Sequence, residues 1–393
     1  MMLKKRNIVQ FILFFIVVFL AVTYALYIND WIPFKLLSFG DLNPYGGWSA
    51  LKSAFTAVDY QLTGLSRSIA LTVSILVTTL FFGRFFCGFI CPLGALQDFF
   101  AFIGNKLNIK KIKLNNERHE KLLFIKYFIF LFAVVVSIMG LGPIISSYSP
   151  WLAFLDISMG FILTPGLYIL IGLMISSLMI PRLFCRYLCP LGAFQSLINA
   201  FGFFKVKSSD HCNGCTNCLK ECPMAIKKPY ASGEVSPECI SCLNCVERKC
   251  IRGDYSYTLN ILNKKIKPNQ YIALALIVFI SIYFLIPFIH ITSNTQGFLS
   301  FTQLQEGRYI GTGIGFGGPI RVEIVVDNER IKTINVLSHQ ESTGYYEEVF
   351  KMKSREIIAT QSLNVDTLSG ATASSRGYLS AIKSAINQSL EQE

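Results

Sequence analysis

The sequence predicts a membrane-embedded α-helical bundle with a cysteine-rich insertion and a small α+β domain at its carboxyl end. Hydrophobic residues make up 52% of the 393-residue chain and charged residues only 15%, which is unlike a soluble protein. Eight of the twelve cysteines lie within residues 211–250. After residue 298, polar and apolar side chains alternate as in strands, and a helical pattern follows over residues 374–390.

Five apolar stretches predict about five transmembrane helices, over residues 8–28, 68–83, 122–141, 164–180 and 271–291. The first stretch follows Lys4, Lys5 and Arg6, so a cleaved signal peptide is the competing interpretation. The stretch is longer than the apolar core of such a peptide, which has about 7–15 residues. Basic residues mark cytoplasmic loops, so we expect the amino terminus and residues 106–121 to be cytoplasmic.

The net charge of +12 does not indicate a nucleic-acid partner. From residue 298 onward, eleven acidic residues stand against nine basic ones, so the positive charge is concentrated in the rest of the chain. An excess of Lys and Arg in cytoplasmic loops explains this asymmetry. The carboxyl-terminal domain is therefore expected outside the cytoplasm, with membrane lipid around the spans and no nucleic acid bound.

Two copies of a CxxxCP motif follow the second and fourth predicted spans. Cys87 and Cys91 in GRFFCGFICPLGA correspond to Cys185 and Cys189 in PRLFCRYLCPLGA, each 98 residues later. The duplication predicts two pseudo-symmetric repeats with a site between them. The four thiols could bind one further iron-sulfur cluster, with Arg84 and Arg182 offsetting its negative charge. The alternatives are arginines that snorkel to the membrane surface and cysteines that are free or in disulfides.

The cysteine-rich insertion has the spacing of a bacterial ferredoxin with two clusters. CxxCxxCxxxCP holds Cys212, Cys215, Cys218 and Cys222, and a second motif with one extra residue holds Cys239, Cys242, Cys245 and Cys250. The fourth cysteine of each motif binds the other cluster. We therefore expect one [4Fe-4S] cluster on Cys212, Cys215, Cys218 and Cys250, and another on Cys239, Cys242, Cys245 and Cys222. Zinc knuckles lack the triple spacing, and a reducing compartment disfavours disulfides.

A third motif, DTLSGATASS, precedes the last predicted helix. Its physics fits either an anion site or an ordinary helix cap. It resembles the flavinylation sequence DxxSGAT of the FMN-binding domain found in Rnf and Nqr complexes. The resemblance implies FMN joined to Thr372 by a phosphoester bond that a separate flavin transferase installs, with Asp366, Ser369, Gly370 and Ala371 completing the motif.

Upstream of that motif, HQESTGYYEE resembles the same family's HxETPG-like loop, which implies that four residues lie near the flavin: His339, Glu341, Thr343 and Gly344. Between them and the fifth span, IRVEIVVDNERIKTINVL predicts two strands joined at residues 327–330. The glycine run GTGIGFGG, residues 311–318, precedes a strand and opens no helix, so it is not a dinucleotide fingerprint. We expect it to be a flexible turn.

The CxxxCP repeats and the ferredoxin motifs together resemble membrane polyferredoxins of the NapH and NosR type. The expected domains are a transmembrane core (1–206), a 2[4Fe-4S] ferredoxin domain (207–268), a fifth transmembrane helix with a linker (269–297) and an FMN-binding domain (298–393). The resemblance implies electron transfer in the cell inner membrane, from a cytoplasmic donor through the clusters to covalent FMN and an extracytoplasmic acceptor. NosR-type proteins carry their flavin domain at the amino end, so a nitrous oxide role is not implied.

Two other functions are compatible with these motifs. A redox-sensing regulator or maturation factor for an extracytoplasmic reductase would use the same cofactors without sustained current. An ion pump is less consistent, because the five predicted spans contain no Asp or Glu, the usual mark of an ion path. A quinone is a further candidate partner, and the sequence assigns no catalytic residue.

Overall fold

The computed structural model describes residues 5–29, 31–34, 36–46, 67–112, 116–139, 146–157, 164–208, 222–226, 234–246, 257–261, 264–288, 304–341, 346–363, 365 and 371–390. Several predicted site residues lie outside these ranges: Cys212, Cys215, Cys218, Cys250, Thr343, Gly344, Asp366, Ser369 and Gly370.

The first part of the chain is helical, and many of its helices begin at a proline. A proline fits the first helical position because its missing N–H has no partner there in any case. The elements are α1 (Lys5–Ile28), α2 (Phe39–Leu42), α3 (Arg67–Phe82), a π-helical turn (Phe86–Ile90), α4 (Pro92–Lys106), α5 (Asn116–Leu123), α6 (Ile125–Ile138), α7 (Pro150–Asp156), α8 (Pro165–Met179), α9 (Leu183–Tyr187), α10 (Pro190–Ala200) and, after the insertion, α11 (Pro268–Leu285).

Three helical stretches are long and apolar enough to cross a membrane: Arg6–Ile28, Glu117–Ile138 and Pro268–Leu285. Helices α3 and α8 are apolar but have 16 and 15 residues. At 1.5 Å per residue they reach about 24 Å, less than the roughly 30 Å of a hydrocarbon core. Helix α3 packs along α11, and α8 packs along α4. The described residues thus include three candidate membrane helices, and the count of five stays a prediction.

A three-stranded antiparallel sheet closes the cysteine-rich insertion. Strand β1 (Phe204–Ser208) precedes the insertion, and β2 (Tyr257–Ile261) and β3 (Lys264–Ile266) follow it. Tyr271 at the start of α11 packs on Phe204, with ring centroids 4.8 Å apart, and its hydroxyl donates to the carbonyl oxygen of Phe82. The sheet therefore fastens both ends of the insertion to the helical core.

The carboxyl-terminal domain has a three-stranded antiparallel sheet and two helices. Its elements are β4 (Gly307–Ile314), β5 (Pro319–Asp327), β6 (Arg330–Ser338), α12 (Tyr346–Thr360) and α13 (Thr372–Leu390). The alternate residues of β5 are buried against α13, as expected for a sheet with one covered face. The predicted strand pair, its junction and the final helix are confirmed.

The prediction for the glycine run is wrong for its first half, because Gly311 and Gly313 lie in β4 and not in a turn. A Cβ at Gly311 would come within 2.0 Å of the Ala381 carbonyl oxygen, and one at Gly313 within 2.2 Å of the Gly377 carbonyl oxygen. The glycines are needed because α13 lies directly on the strand. Only residues 315–318 connect β4 to β5.

Helix α12 of the carboxyl-terminal domain rests on one end of α1. The Tyr24 hydroxyl donates to Glu348 Oε2 over 3.1 Å, and the Tyr27 hydroxyl lies 3.7 Å from Met352 Sδ. Arg6, at the other end of α1, is bound among the CxxxCP segments. Eighteen residues of helix separate Arg6 from Tyr24, or about 27 Å. The carboxyl-terminal domain and the ion pair of Arg6 with Asp98 thus lie at opposite ends of α1, a candidate membrane helix.

We expect Gly311→Ala to destabilise the carboxyl-terminal domain by about 1–3 kcal/mol, because the added methyl group overpacks β4 against α13. The measurement is limited proteolysis of the full-length protein across a temperature ramp, followed at a carboxyl-terminal tag. Thr312→Ala, on the exposed face of the same strand, is the control and should melt like the parent. Equal melting of both variants would contradict the close packing.

Candidate redox sites

The structure brings the four CxxxCP cysteines together. Cys87 lies in the π-helical turn, Cys185 lies in α9, and Cys91 and Cys189 stand immediately before α4 and α10. Cys91 is within electrostatic range of the other three, and Cys189 is within range of Cys185 and Cys87. Cys87 and Cys185 are buried, with 7% and 6% of their surface exposed. One enclosed site could therefore receive all four thiolates.

The proline of each motif aims a helix amino terminus at its second cysteine. Since Pro92 and Pro190 start α4 and α10, the first N–H groups of these helices have no intrahelical partner. The backbone N–H of Gly192 donates to Cys189 Sγ over 3.3 Å, whereas Cys91 receives no such bond from the first turn of α4. Helix amino termini favour a thiolate over a thiol, which suits cysteines that bind metal.

Two glutamines cross between the copies. Gln97 Nε2 lies 3.5 Å from Cys185 Sγ, and Cys87 Sγ lies 3.3 Å from Gln195 Oε1. The two glutamines are also 98 residues apart and fully buried. The sequence prediction did not include them, although PLGALQ and PLGAFQ carry the signal. Each copy thus supplies a polar contact to the first cysteine of the other.

The two arginines are buried in ion pairs and do not snorkel. Both have no exposed surface. Arg182 donates to Asp98 from Nε and Nη2, over 2.9 and 2.7 Å, and its Nη1 donates to the Cys87 carbonyl oxygen over 2.8 Å. Arg84 Nη1 lies 3.1 Å from Glu238 Oε2. Arg6 also pairs with Asp98. Buried charges need such partners, so the arginines are part of the site and not of the membrane surface.

The described half of the insertion lies directly against the CxxxCP cysteines. Cys242 shares a buried cluster with Cys87 and Cys185, together with Met224, Ile226 and Ile240. Gly88 permits this contact, because a Cβ there would come within 2.3 Å of the Ile240 carbonyl oxygen. On the second copy, Arg186 Nε donates to the Pro223 carbonyl oxygen over 2.7 Å. Both copies therefore contact the described part of the insertion.

Four ferredoxin cysteines line a single hollow: Cys222, Cys239, Cys242 and Cys245. They are the ligands that the crossed arrangement assigns to one cluster. Ser241 and Leu243 between them have left-handed backbones, with φ of 52° and 62°. Non-glycine residues keep this strained conformation only where the surrounding structure holds them in it, and such positions are typical of functional sites. The four cysteines predicted for the other cluster, Cys212, Cys215, Cys218 and Cys250, lie outside the described residues.

The donors at both sites are cysteine thiols, which are the ligands of iron-sulfur clusters. Among the described residues, no three His, Cys, Asp or Glu side chains lie close enough together to hold one metal ion. None of the eight cysteines in this part of the chain is in a disulfide. Three buried N–H-bearing atoms beside the CxxxCP thiols have no hydrogen-bond partner: Arg84 Nε, Arg84 Nη2 and Gln195 Nε2. Hydrogen-bond donors of this kind tune cluster sulfurs.

Of the predicted flavin residues that are described, Glu341 contacts the first turn of α13, which begins at Thr372, and His339 packs on α12. Glu341 is buried, accepts the N–H of Gly317 over 2.9 Å and accepts the hydroxyl of Ser374. The imidazole of His339 packs on Tyr346, with ring centroids 4.2 Å apart. Backbone N–H groups at a helix start attract phosphate, so this corner of the domain suits a phosphate-bearing ligand.

The segment of residues 38–46 lies between the CxxxCP site and the carboxyl-terminal domain. Tyr45 of this segment packs against the apolar cluster that includes Cys189. Phe39 from the same segment packs on Tyr24 with ring centroids 4.9 Å apart, and Tyr24 contacts α12. One apolar cluster includes Cys189, Phe39 and Tyr24. Packed side chains therefore connect Cys189 to the carboxyl-terminal domain without a break.

Comparisons with known proteins match both parts of the chain. A 4Fe-4S binding domain model matches residues 66–110 and 162–209, around the two CxxxCP motifs, and an FMN-binding domain model matches residues 315–387. The uncharacterized protein MJ0750 of Methanocaldococcus jannaschii is 36% identical over 46% of this chain and 75% of its own length. The putative electron transport protein YccM of Escherichia coli is 29% identical over 56% and 64%. The regulatory protein NosR of Pseudomonas aeruginosa is 31% identical over 41% and 23%.

We expect the folded protein to lose stability as pH rises through the titration of Asp156, the last residue of α7. Burial, and then the neighbouring Glu347, raise the pKa of Asp156 to about 7, against about 3.9 for a free Asp. The folded protein therefore holds this proton more tightly, so stability falls between about pH 4 and pH 7 and is level above. Thermal unfolding of the full chain at several pH values should show this slope, and Asp156→Asn should flatten it. Identical pH profiles for parent and variant would contradict the assignment.

Proposed function

The chain belongs to the membrane polyferredoxin family that includes NapH, NosR, NirI, MauN and YccM, and we propose that it conducts electrons across a membrane to a flavin on the far side. The observation that carries the proposal is the buried cluster in which Cys242 of the ferredoxin insertion packs with Cys87 and Cys185. It puts two candidate cluster sites in direct contact. The proposed route runs from a cytoplasmic donor through the ferredoxin and CxxxCP sites to FMN, and then to an external acceptor.

Bound iron-sulfur clusters and FMN would supply the electron-carrying chemistry, and the protein supplies position and charge. Cys222, Cys239, Cys242 and Cys245 would hold one ferredoxin [4Fe-4S] cluster, and the other would use Cys212, Cys215, Cys218 and Cys250. The four CxxxCP cysteines would hold one further cluster. Arg84 and Arg182 would offset the charge of its thiolates, while the apolar side chains around Cys87 exclude water.

At the other end, Thr372 would carry FMN after modification by a flavin transferase. We propose that His339, Glu341 and Ala371 line this site together with Thr343, Gly344, Asp366, Ser369 and Gly370; the contact of Glu341 with Ser374 in the first turn of α13 supports the proposal. Helix α12, which bears Tyr346 beside His339, rests on α1. This docking supports transfer from the CxxxCP site to the flavin, because Tyr24, which contacts α12, belongs to the same apolar cluster as Cys189.

A regulatory role is the second candidate, since one matched relative is named a regulatory protein. A sensor would titrate once with reductant and stop, whereas a conduit sustains turnover. Steady consumption of an artificial acceptor, dependent on a donor at the ferredoxin insertion, favours the conduit. A single stoichiometric reduction with no further turnover favours the sensor.

We expect covalent flavin at Thr372. In-gel fluorescence of the denatured full-length protein, co-expressed with a flavin transferase, should show a band that Thr372→Ala abolishes, because the hydroxyl that forms the phosphoester is gone. Thr360→Ala, at the exposed end of α12, is the matched control and should keep the band. A dark parent band, alongside a control protein that the transferase does label, would remove the flavin from the proposed route.

A further inference from the structure

The two arginines before the CxxxCP cysteines occupy matching positions but have different counter-ions. Arg182 is paired with Asp98, which lies on α4 of the first copy, through two hydrogen bonds of 2.9 and 2.7 Å. The residue 98 positions after Asp98 is Ser196. Arg84 Nη1 accordingly donates to Ser196 Oγ over 2.9 Å, where symmetry would have placed a carboxylate. The repeats alone therefore leave Arg84 without a counter-ion.

Glu238 of the ferredoxin insertion supplies the missing carboxylate. Arg84 Nη1 lies 3.1 Å from Glu238 Oε2 and 3.1 Å from the Glu238 backbone oxygen. The hydroxyl of Ser196 donates to the same Oε2 over 3.1 Å. Glu238 is 8% exposed and directly precedes the predicted cluster ligand Cys239. A carboxylate in this position connects the core arginine to the ferredoxin site through a single residue.

Two residues of α6 complete the seat of Glu238. The Tyr127 hydroxyl donates to Oε1 over 2.6 Å, and the Lys126 ammonium group pairs with Oε2. The preceding turn is held as well, since Asn199 Nδ2 donates to the Pro237 carbonyl oxygen over 2.8 Å. Hydrogen bonds to charged groups are among the stronger ones in proteins, so this seat fixes residues 237–238 against the core.

We propose that Glu238 is a positioning residue that latches the second ferredoxin motif to the CxxxCP site and thereby sets the rate at which electrons pass between them. In that step one electron leaves the ferredoxin cluster, which is oxidised, and enters the CxxxCP centre, which is reduced. The inference rests on the proposed electron-transfer function. Ser196 stands where symmetry would place a carboxylate, and Glu238 of the docked insertion supplies the counter-ion to Arg84 through Nη1.

The test uses the full-length holoprotein in detergent, and dithionite is the reductant. Glu238→Gln keeps the side-chain shape but removes the charge that Arg84 and Lys126 share. We expect amide hydrogen exchange over residues 236–246 to accelerate about tenfold or more, since a charge-assisted hydrogen bond is lost. The electron paramagnetic resonance signal of the CxxxCP centre should persist, while its reduction after rapid mixing slows. Glu234→Gln, which removes the two ion pairs of Glu234 with Lys205 and Lys207, should change neither the hydrogen exchange nor the rate of reduction.

A double variant separates latching from simple charge neutralisation. Ser196→Asp combined with Glu238→Gln gives Arg84 a carboxylate within the repeat, as Asp98 does for Arg182, and thus protects the fold. We expect exchange over residues 236–246 to stay fast and reduction to stay slow. Parent-like behaviour of the double variant would overturn the latch, as would a single Glu238→Gln variant with unchanged exchange and reduction. Absence of the CxxxCP signal in the parent would overturn the proposed function instead, and exchange would still decide the latch.

Discussion

Two fully buried arginines are the constraint on which the redox core depends. A guanidinium without exposed surface is tolerated only when it is paired, so each arginine gathers groups from distant parts of the chain. Asp98 brings α1 and α4 to Arg182 through its second contact with Arg6. Glu238 brings the insertion and α6 to Arg84. Arg182 also fixes the backbone of Cys87, because its Nη1 donates to the Cys87 carbonyl oxygen.

The same arrangement limits how far electrons would have to travel. Cys242 of the insertion packs in one buried cluster with Cys87 and Cys185, so the described ferredoxin site and the CxxxCP site are in direct contact. Toward the flavin, the segment with Phe39 and Tyr45 folds back between Cys189 and α1. The carboxyl-terminal domain meets the far end of α1 through α12. Each stage is a packed contact, which is what a chain of cofactors needs if the protein is to hold them at fixed separations.

Local patterns in the sequence predicted much of this and missed what depends on long-range contact. Cysteine spacing predicted the ferredoxin insertion, alternation predicted β5 and β6, and the repeat predicted which cysteines would meet. Glu238 and Arg84 are 154 residues apart, and no periodicity links them. Gln97 and Gln195 could have been found, because they share the 98-residue offset of the cysteines. The prediction of a turn at Gly311 was wrong because this glycine is needed where β4 packs against α13, 70 residues later in the chain. A local sequence pattern carries no information about such a contact.

The central claim is that electrons cross from the ferredoxin insertion to the flavin through the CxxxCP site. The most direct measurement is flavin reduction in sealed proteoliposomes that hold the flavinylated protein in one orientation, with a membrane-impermeant reductant confined to the ferredoxin side. The account predicts bleaching of the flavin in the parent and little or none in Cys189→Ser. Equally fast bleaching in Cys189→Ser would contradict it, as would a parent flavin that responds only when reductant is added on its own side.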